Sequence, residues 1–308
     1  MLPRISLVTP SYNQAAFLEA TIQSVLAQNY PNLEYMVFDG GSTDGSVEIL
    51  RRYENHFAYW TSERDAGQSD ALNRGFARAT GEIFGWLNSD DVLLPNALQT
   101  IGAYFAQHRE CDFVAGDGIF INADGSRELF YVRAAAYTFR DLLHYDADKY
   151  LPQPSVFFTR GAFAAVGGLD VSLRYGMDLD LWLRMRRQFE LHYIPNCLAQ
   201  MRLHGDAKSQ HAEHAALRAV MQVIARHWGR ESVRERAQLF WGLRAMMARE
   251  ICAEGLKRAQ QRDSRAGWNA LRDAMLWNPS VLFSRVARQL LARLLLPRAA
   301  QNKILRAP

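Results

Sequence analysis

Asn88-Ser89-Asp90-Asp91 sets two carboxylates side by side directly after an apolar run. Adjacent carboxylates repel unless a cation or hydrogen-bond donors neutralise them. Oxygen ligands suit Mg²⁺ or Mn²⁺, ions that commonly bridge protein carboxylate and substrate phosphate. A competing reading lets Asp90 or Asp91 cap the helix expected from Pro95. Met177-Asp178-Leu179-Asp180 puts two more carboxylates at a helix start, where the dipole favours anions. One helix needs one cap, which leaves a carboxylate for general-base work. Gly167, Gly168 and Gly176 just upstream suggest a mobile loop. Asp39, followed by Gly40-Gly41, is placed either to recognise a base or ribose or to close an Asx turn. His204 follows the last apolar run, and a lone histidine is by itself a weak metal signal.

These residues need a frame. Alternation of short apolar runs with amphipathic stretches predicts strands over 5–9, 35–38, 58–61 and 83–87. It predicts helices over 17–28, 47–53, 70–79 and 95–105, the last with Pro95 in its first turn. This is the pattern of a mostly parallel α/β sheet with helices on both faces. Ligands bind such sheets beyond the carboxyl ends of the strands. Thr9-Pro10-Ser11-Tyr12-Asn13, the segment from Asp39 to Asp44, and Asn88-Ser89-Asp90-Asp91 each follow a strand, so they converge on one crevice. From 112 the pattern changes. Strands are expected over 113–115, 119–121, 155–159 and 198–203, a hairpin turn at Asn122-Ala123-Asp124-Gly125, and a helix over 179–188. After 211 only helical patterns remain, over 215–228, 233–259, 266–277 and 281–296.

The chain has 308 residues and a formal charge of +4. That figure hides an asymmetry. Residues 1–210 carry 18 basic and 25 acidic side chains, a balance of −7, and residues 211–308 carry 18 basic and 7 acidic, a balance of +11. An acidic body with a basic helical tail does not suit a nucleic-acid binder. Two domains are expected, 1–210 and 211–308. Three cysteines without a C-x-x-C spacing exclude a disulfide scaffold and a cysteine zinc site. No G-x-G-x-x-G fingerprint or Walker lysine supports dinucleotide or P-loop binding. The N-terminus has no signal-peptide pattern, and Arg285, Arg288 and Arg293 interrupt the most apolar stretch. A cytoplasmic location is expected. The last helix sets those arginines against Leu282, Val286, Leu290 and Leu294. It suits either an anionic membrane surface or packing within the protein.

In combination these motifs resemble the family 2 glycosyltransferases of the GT-A fold, in the bacterial polysaccharide and cell-envelope branch. The resemblance covers roughly residues 4–210. It is carried by Val8-Thr9-Pro10-Ser11-Tyr12-Asn13, by Phe38-Asp39-Gly40-Gly41-Ser42-Thr43-Asp44-Gly45, by the donor-side stretch over 63–75, by Trp86-Leu87-Asn88-Ser89-Asp90-Asp91 in the D-x-D position, and by Gln153-Pro154-Ser155 and Gly167-Gly168-Leu169-Asp170 on the acceptor side. The resemblance implies a nucleotide-diphosphate sugar donor of UDP or GDP type. It implies a glycan or lipid-linked glycan acceptor and a divalent cation. Thr9, Pro10, Ser11, Tyr12, Asp39, Asp65, Gln68, Asn88 and Ser89 would serve the nucleotide and donor. Asp90 and His204 would hold the metal. Asp178 matches the catalytic aspartate of an E-D motif, with Met177 in place of Glu, and Asp180 would support the acceptor side. Asn88 replaces the first Asp of D-x-D, which points it towards ribose, and Gly40 replaces a frequent second Asp. The Q-x-x-R-W segment of processive synthases is missing. Two readings compete. A non-catalytic sugar-nucleotide binder has no need of Asp90, Asp178 and His204. A nucleotidyltransferase needs a Gly-rich basic loop, which Pro10-Ser11-Tyr12-Asn13-Gln14 is not.

Overall fold

A computed structural model of the chain describes residues 2–144, 149–205, 213–228, 233–261 and 263–295. It divides into two compact units, Met1–His211 and Ala212–Pro308. The boundary expected after residue 210 lies outside the described residues.

The first unit is built on one sheet. Its strands are β1 (Ile5–Ser11), β2 (Leu33–Asp39), β3 (Tyr59–Ser62), β4 (Ile83–Trp86), β5 (Val92–Leu93), β6 (Phe113–Ile121), β7 (Glu128–Val132), β8 (Val156–Thr159) and β9 (Leu191–Arg202). They lie in the order β3-β2-β1-β4-β8-β6-β9-β5, with β7 paired to β6. The helices are α1 (Ala15–Leu26), α2 (Ser46–Arg52), α3 (Gln68–Arg78), α4 (Ala97–Gln107), α5 (Phe139–Leu143), α6 (Arg160–Ala165) and α7 (Met177–Arg186). Alternation along β1 splits its side chains between two layers. Ile5 and Leu7 join a core with Leu18 and Ile22 of α1, Leu50 of α2 and Ile101 of α4. Val8 points the other way, towards α3, where a Cβ on Gly75 would lie 2.6 Å from its Cγ1. Helices therefore cover both faces, as the α/β pattern requires.

Parallel pairing holds for β3, β2, β1 and β4. β8 then enters antiparallel between β4 and β6, and β6 and β9 are parallel again. The whole sheet is mixed, because strand direction beyond β4 is set by pairing that local periodicity does not encode. The two short strands expected over 113–121 are one strand, β6. Its Gly116-Asp117-Gly118 segment takes register shifts against β9, and these break the apolar pattern. β9 begins at Leu191 rather than 198, since Pro195-Asn196 interrupts the run without ending it. Pro95 lies ahead of α4, whose first turn follows Asn96 in a left-handed conformation. The two-residue β5 is too short to read from the sequence.

The second unit contains α8 (Glu213–His227), α9 (Val233–Gln260), α10 (Ser264–Trp277) and α11 (Arg285–Leu295). Met247, Ile251 and Cys252 of α9, Leu271 of α10, and Ala287 and Leu290 of α11 share one core. Val286 and Leu294 pack against it. Gly255 brings α9 close to α10, because a Cβ there would overlap that of Ala270. The apolar side of α11, which suited a membrane, is therefore turned into its own unit. The helix starts at Arg285 rather than 281 because Pro279–Phe283 forms a 3₁₀ turn. Residue 296 lies outside the described residues. Among the described residues no helix is long and apolar enough to cross a membrane.

A buried polar knot ties the amino-terminal edge of the parallel half together. Glu34 on β2 accepts from Ser6 Oγ at 2.5 Å, from Thr80 N and Oγ1 at 2.7 Å each, and from Arg4 Nη2 at 3.2 Å. Ser6 Oγ accepts in turn from Gly81 N at 2.8 Å. Burial works against ionisation of Glu34, but these donors outweigh it and hold the carboxyl below the usual range. The stabilisation is therefore present at neutral pH and is lost as pH falls below the ordinary glutamate value of about 4.3 through the lower folded one. Glu34→Gln should cost about 1–3 kcal/mol at neutral pH, measured by urea unfolding. The gap to the parent chain should close on acidification, and a gap independent of pH would contradict an ionised Glu34.

Candidate active site

Ser11 at the end of β1 pairs with Asp39 at the end of β2, and β4 flanks β1 on the other side. The polar segments that follow these strands therefore open on one edge, beside a cleft of about 820 Å³. Pro10, Ser11 and Tyr12 form one wall. Tyr12 is 62 % exposed and offers a ring face, while Ser11 Oγ is buried without a hydrogen-bond partner. Asp65 and Gln68 line the next stretch, ahead of and at the start of α3. A Cβ on Gly40 would stand 3.1 and 3.3 Å from the Asp65 carboxylate oxygens and 3.3 Å from the Tyr12 ring. An Asp at 40 would thus crowd Asp65 with a second negative charge, which gives the Gly40 departure a physical reason.

The floor is the run after β4, and it is held by amides. Gln68 Nε2 donates to Asn88 Oδ1 at 2.7 Å. Asn88 Nδ2 donates to Asp91 Oδ2 at 3.2 Å and to Gln153 Oε1 at 3.0 Å, and Gln153 Nε2 donates to the Trp86 carbonyl at 2.9 Å. Both Nδ2 protons of Asn88 are thus spent on the protein, so in this geometry it builds the floor. Arg202 clamps the next two residues. Its backbone N donates to Asp91 Oδ1 at 3.0 Å and its Nε to the Asp90 carbonyl at 3.0 Å. Burial, and then the neighbouring Asp90 charge, push Asp91 well above the ordinary carboxylate range. Asp90 and Ser89 line the cleft. His204 backs Asp90, with Nε2 3.1 Å from its Oδ2 and the ring 4.3 Å from Phe17. The other ring nitrogen, Nδ1, is buried without a partner.

The opposite wall comes from the loop before α7 and from the start of that helix. Val171, Leu173, Arg174 and Tyr175 lead to Asp178, all on the cleft. Gly167, Gly168 and Gly176 have φ of 80°, 75° and 68°, the left-handed region in which glycine is unstrained. Asp178 sits in the first turn of α7 and Leu179 N donates to its Oδ1 at 2.9 Å. Met177 replaces a carboxylate with a thioether that accepts from Ser69 Oγ at 2.8 Å. Asp178 is therefore the acidic side chain that this wall presents.

Four expected site residues do not line the cleft. Thr9 is fully buried and its Oγ1 pairs with Tyr35 Oη at 3.1 Å. Asp39 accepts from Gly41 N, Ser42 N, Ser42 Oγ and Ser62 Oγ at 2.5–3.1 Å, so it closes the turn that shapes the loop. Asp180 pairs with Arg184 Nε at 2.8 Å, and Arg184 Nη1 donates to the Val166 carbonyl at 2.6 Å, which anchors the glycine loop from behind. His204 reaches the site through Asp90. In the other direction, Arg202 was not singled out from the sequence. Its role depends on β9 bringing it beside Asp91, and the only local signal was its place two residues before His204. Phe120 and Tyr150, which also line the cleft, carried no signal.

The chain matches the model of Glycosyl transferase family 2 over residues 6–165. It is 29 % identical over 221 residues to a putative teichuronic acid biosynthesis glycosyltransferase, TuaG, of Bacillus subtilis, covering 70 % of this chain and 84 % of that one. It spans about 64 % of the length of two Rickettsia glycosyltransferases that it also matches. Among solved structures it resembles S. aureus TarS 1-349 in complex with UDP-GlcNAc, with a TM-score of 0.61, 16 % identity, and coverage of 98 % of this chain and 89 % of that chain. It also resembles the mannosyltransferase PcManGT of Pyrobaculum calidifontis, in complex with GDP-Man and Mn²⁺, with a TM-score of 0.56, 18 % identity, and coverage of 100 % and 89 %. These structural likenesses show a shared GT-A fold. With more than half of its length matched by the family model and its motifs gathered on one cleft, the chain belongs to glycosyltransferase family 2.

Proposed function

We propose that this protein moves a hexosyl group from a UDP- or GDP-sugar to a hydroxyl of a glycan or lipid-linked glycan acceptor. The transfer inverts the anomeric centre and serves cell-envelope glycan synthesis at the inner face of the cytoplasmic membrane. The observation that carries this reading is the placement of Asp178 across one cleft from Asp90 and the Pro10-Ser11-Tyr12 wall. Donor-bound relatives of the same fold support it. TarS is crystallised with UDP-GlcNAc and PcManGT with GDP-Man and Mn²⁺. The carboxylates Asp65, Asp90 and Asp178 on the cleft speak against a nucleic-acid substrate.

Tyr12 offers its exposed ring to the nucleoside base, and the unpaired Ser11 hydroxyl faces the same space. Asp178 takes the proton of the attacking hydroxyl. Asp178 is the one base assigned and no nucleophile is assigned on the opposite face, which supports a single displacement with inversion. The same geometric logic separates inverting from retaining glycosidases. Among the described residues no cluster of three or more His, Cys, Asp or Glu forms a metal cage. Asp90 and His204 nevertheless fit a divalent cation of the Mn²⁺ or Mg²⁺ type. His204 Nε2 faces Asp90 Oδ2 at 3.1 Å, so an imidazole nitrogen and a carboxylate oxygen would share one ion and leave its other positions to diphosphate oxygens and water. When bound, such an ion supplies positive charge to the leaving diphosphate. Arg202 and Asn88 hold the segment that would carry it.

Asp178→Asn should lower turnover by roughly 10²–10⁴-fold while leaving donor binding by calorimetry intact. Near-normal turnover with a defined donor and acceptor would overturn the base assignment. Asp90→Ala should abolish the Mn²⁺-dependent part of donor affinity, read in the same calorimeter. Asn88→Asp sets an acceptor in place of the donor that faces Asp91 and Gln153 Oε1, so it should lose about 1 kcal/mol or more beyond Asn88→Ala in urea unfolding without metal. Equal losses would show that a third acceptor at this position is not disfavoured.

A further inference from the structure

Several of the large exposed apolar side chains lie in the helical unit. Phe240 and Trp241 of α9 are 39 % and 56 % exposed, and Leu276 near the end of α10 is 73 % exposed. These are one patch rather than scattered rings. The Phe240 and Trp241 centroids are 5.6 Å apart. The Arg244 guanidinium lies 5.3 Å from the Phe240 ring, 5.7 Å from that of Trp241 and 5.5 Å from that of Trp277. Its Nη2 also donates to the Leu276 carbonyl at 2.7 Å, which pins the end of α10 against α9. The core of the unit is formed by other residues, among them Met247, Ile251, Leu271 and Leu290, so the exposed rings are not needed to fill it.

We infer that the patch of Phe240, Trp241, Arg244 and Leu276 is a docking surface for an anionic phospholipid bilayer. The inference deepens the proposed transfer to a membrane-borne acceptor, on which it rests for its purpose. Phenylalanine and tryptophan rings settle at the boundary of headgroups and acyl chains, and a guanidinium beside them sits at the level of the phosphates. Charge selects the bilayer over a second copy of the chain. Residues 211–308 carry 18 basic and 7 acidic side chains, so two such units repel while an anionic surface attracts each of them. The contact is peripheral, because no described helix can span a bilayer. It is also displaced from α11, whose apolar side is occupied within the unit.

The test is flotation of the full chain with phosphatidylcholine vesicles, with and without phosphatidylglycerol, at low and high salt. The parent chain should float with phosphatidylglycerol vesicles, and salt should release part of it. The double substitution Phe240→Ser, Trp241→Ser should reduce the bound fraction about tenfold at unchanged circular dichroism. Leu276→Ser, at a position too exposed to disturb the core, should give a smaller loss in the same direction. Asp178→Asn should float like the parent chain even if turnover vanishes, so the docking and transfer readings fail separately. Equal flotation of parent and double variant would overturn the inference, as would a parent chain that stays with the soluble fraction. Light scattering that shows a dimer dissolved by the double substitution would also overturn it, by giving the patch to a second copy.

Discussion

Two carboxylates, Asp90 and Asp91, stand side by side at the end of a central strand, and the rest of the site is arranged around the cost of keeping them there. Asp91 is 6 % exposed. Burial and the Asp90 charge work against its ionisation, and a carboxyl so placed needs hydrogen-bond partners aimed at it. The Asn88 amide and the Arg202 backbone provide them, on its two oxygens. Thr21 Oγ1 on α1 donates to its carbonyl at 2.7 Å, so the segment is also tied to the helix that follows β1. With Asp91 absorbed into the floor, Asp90 is left facing the cleft, backed by His204. The pair therefore divides its labour: one carboxyl is built into the floor, and the other is presented to the cleft.

This division explains two departures from the family pattern as one adjustment. An aspartate at 88 would face Asp91 and the Gln153 carbonyl oxygen, both acceptors, and an aspartate at 40 would face Asp65. Asn88 and Gly40 remove negative charge from the places where the cleft already holds it. Met177 does the same on the opposite wall and leaves Asp178 as the carboxylate there. The acidic body is thus less uniform at its site than its −7 balance suggests. Each remaining carboxylate has space or a donor set of its own.

The basic half follows different rules. Its helices pack through small residues such as Gly255 and Ala270, and its apolar stripe on α11 closes that core. Amphipathic spacing says that a helix has an apolar side, but not what covers it. The exposed rings on α9 and the exposed Leu276 near the end of α10 are where burial falls short, and only packing reveals them.

Local chemistry along the chain was enough to establish several things. The βα alternation up to residue 105 required a sheet covered on both faces. The polar runs after residues 9, 38 and 87 required a common edge. The charge count separated an acidic body from a basic tail. These follow from periodicity and composition, which are properties of neighbours in sequence. What the chain could not state locally was which side chains face the cleft. Thr9 and Asp39 belong to cleft-forming segments yet are spent on Tyr35 and on the loop, because strand alternation and turn geometry point them inward. Asp180 and Asp178 are two residues apart, and helix geometry turns one towards Arg184 and the other to the cleft. Arg202 enters the site from 111 residues beyond Asp91 because β9 pairs with β6 and with the two-residue β5. Such contacts join residues distant in sequence, so they exist only once the sheet is closed, and the tertiary structure alone decided them.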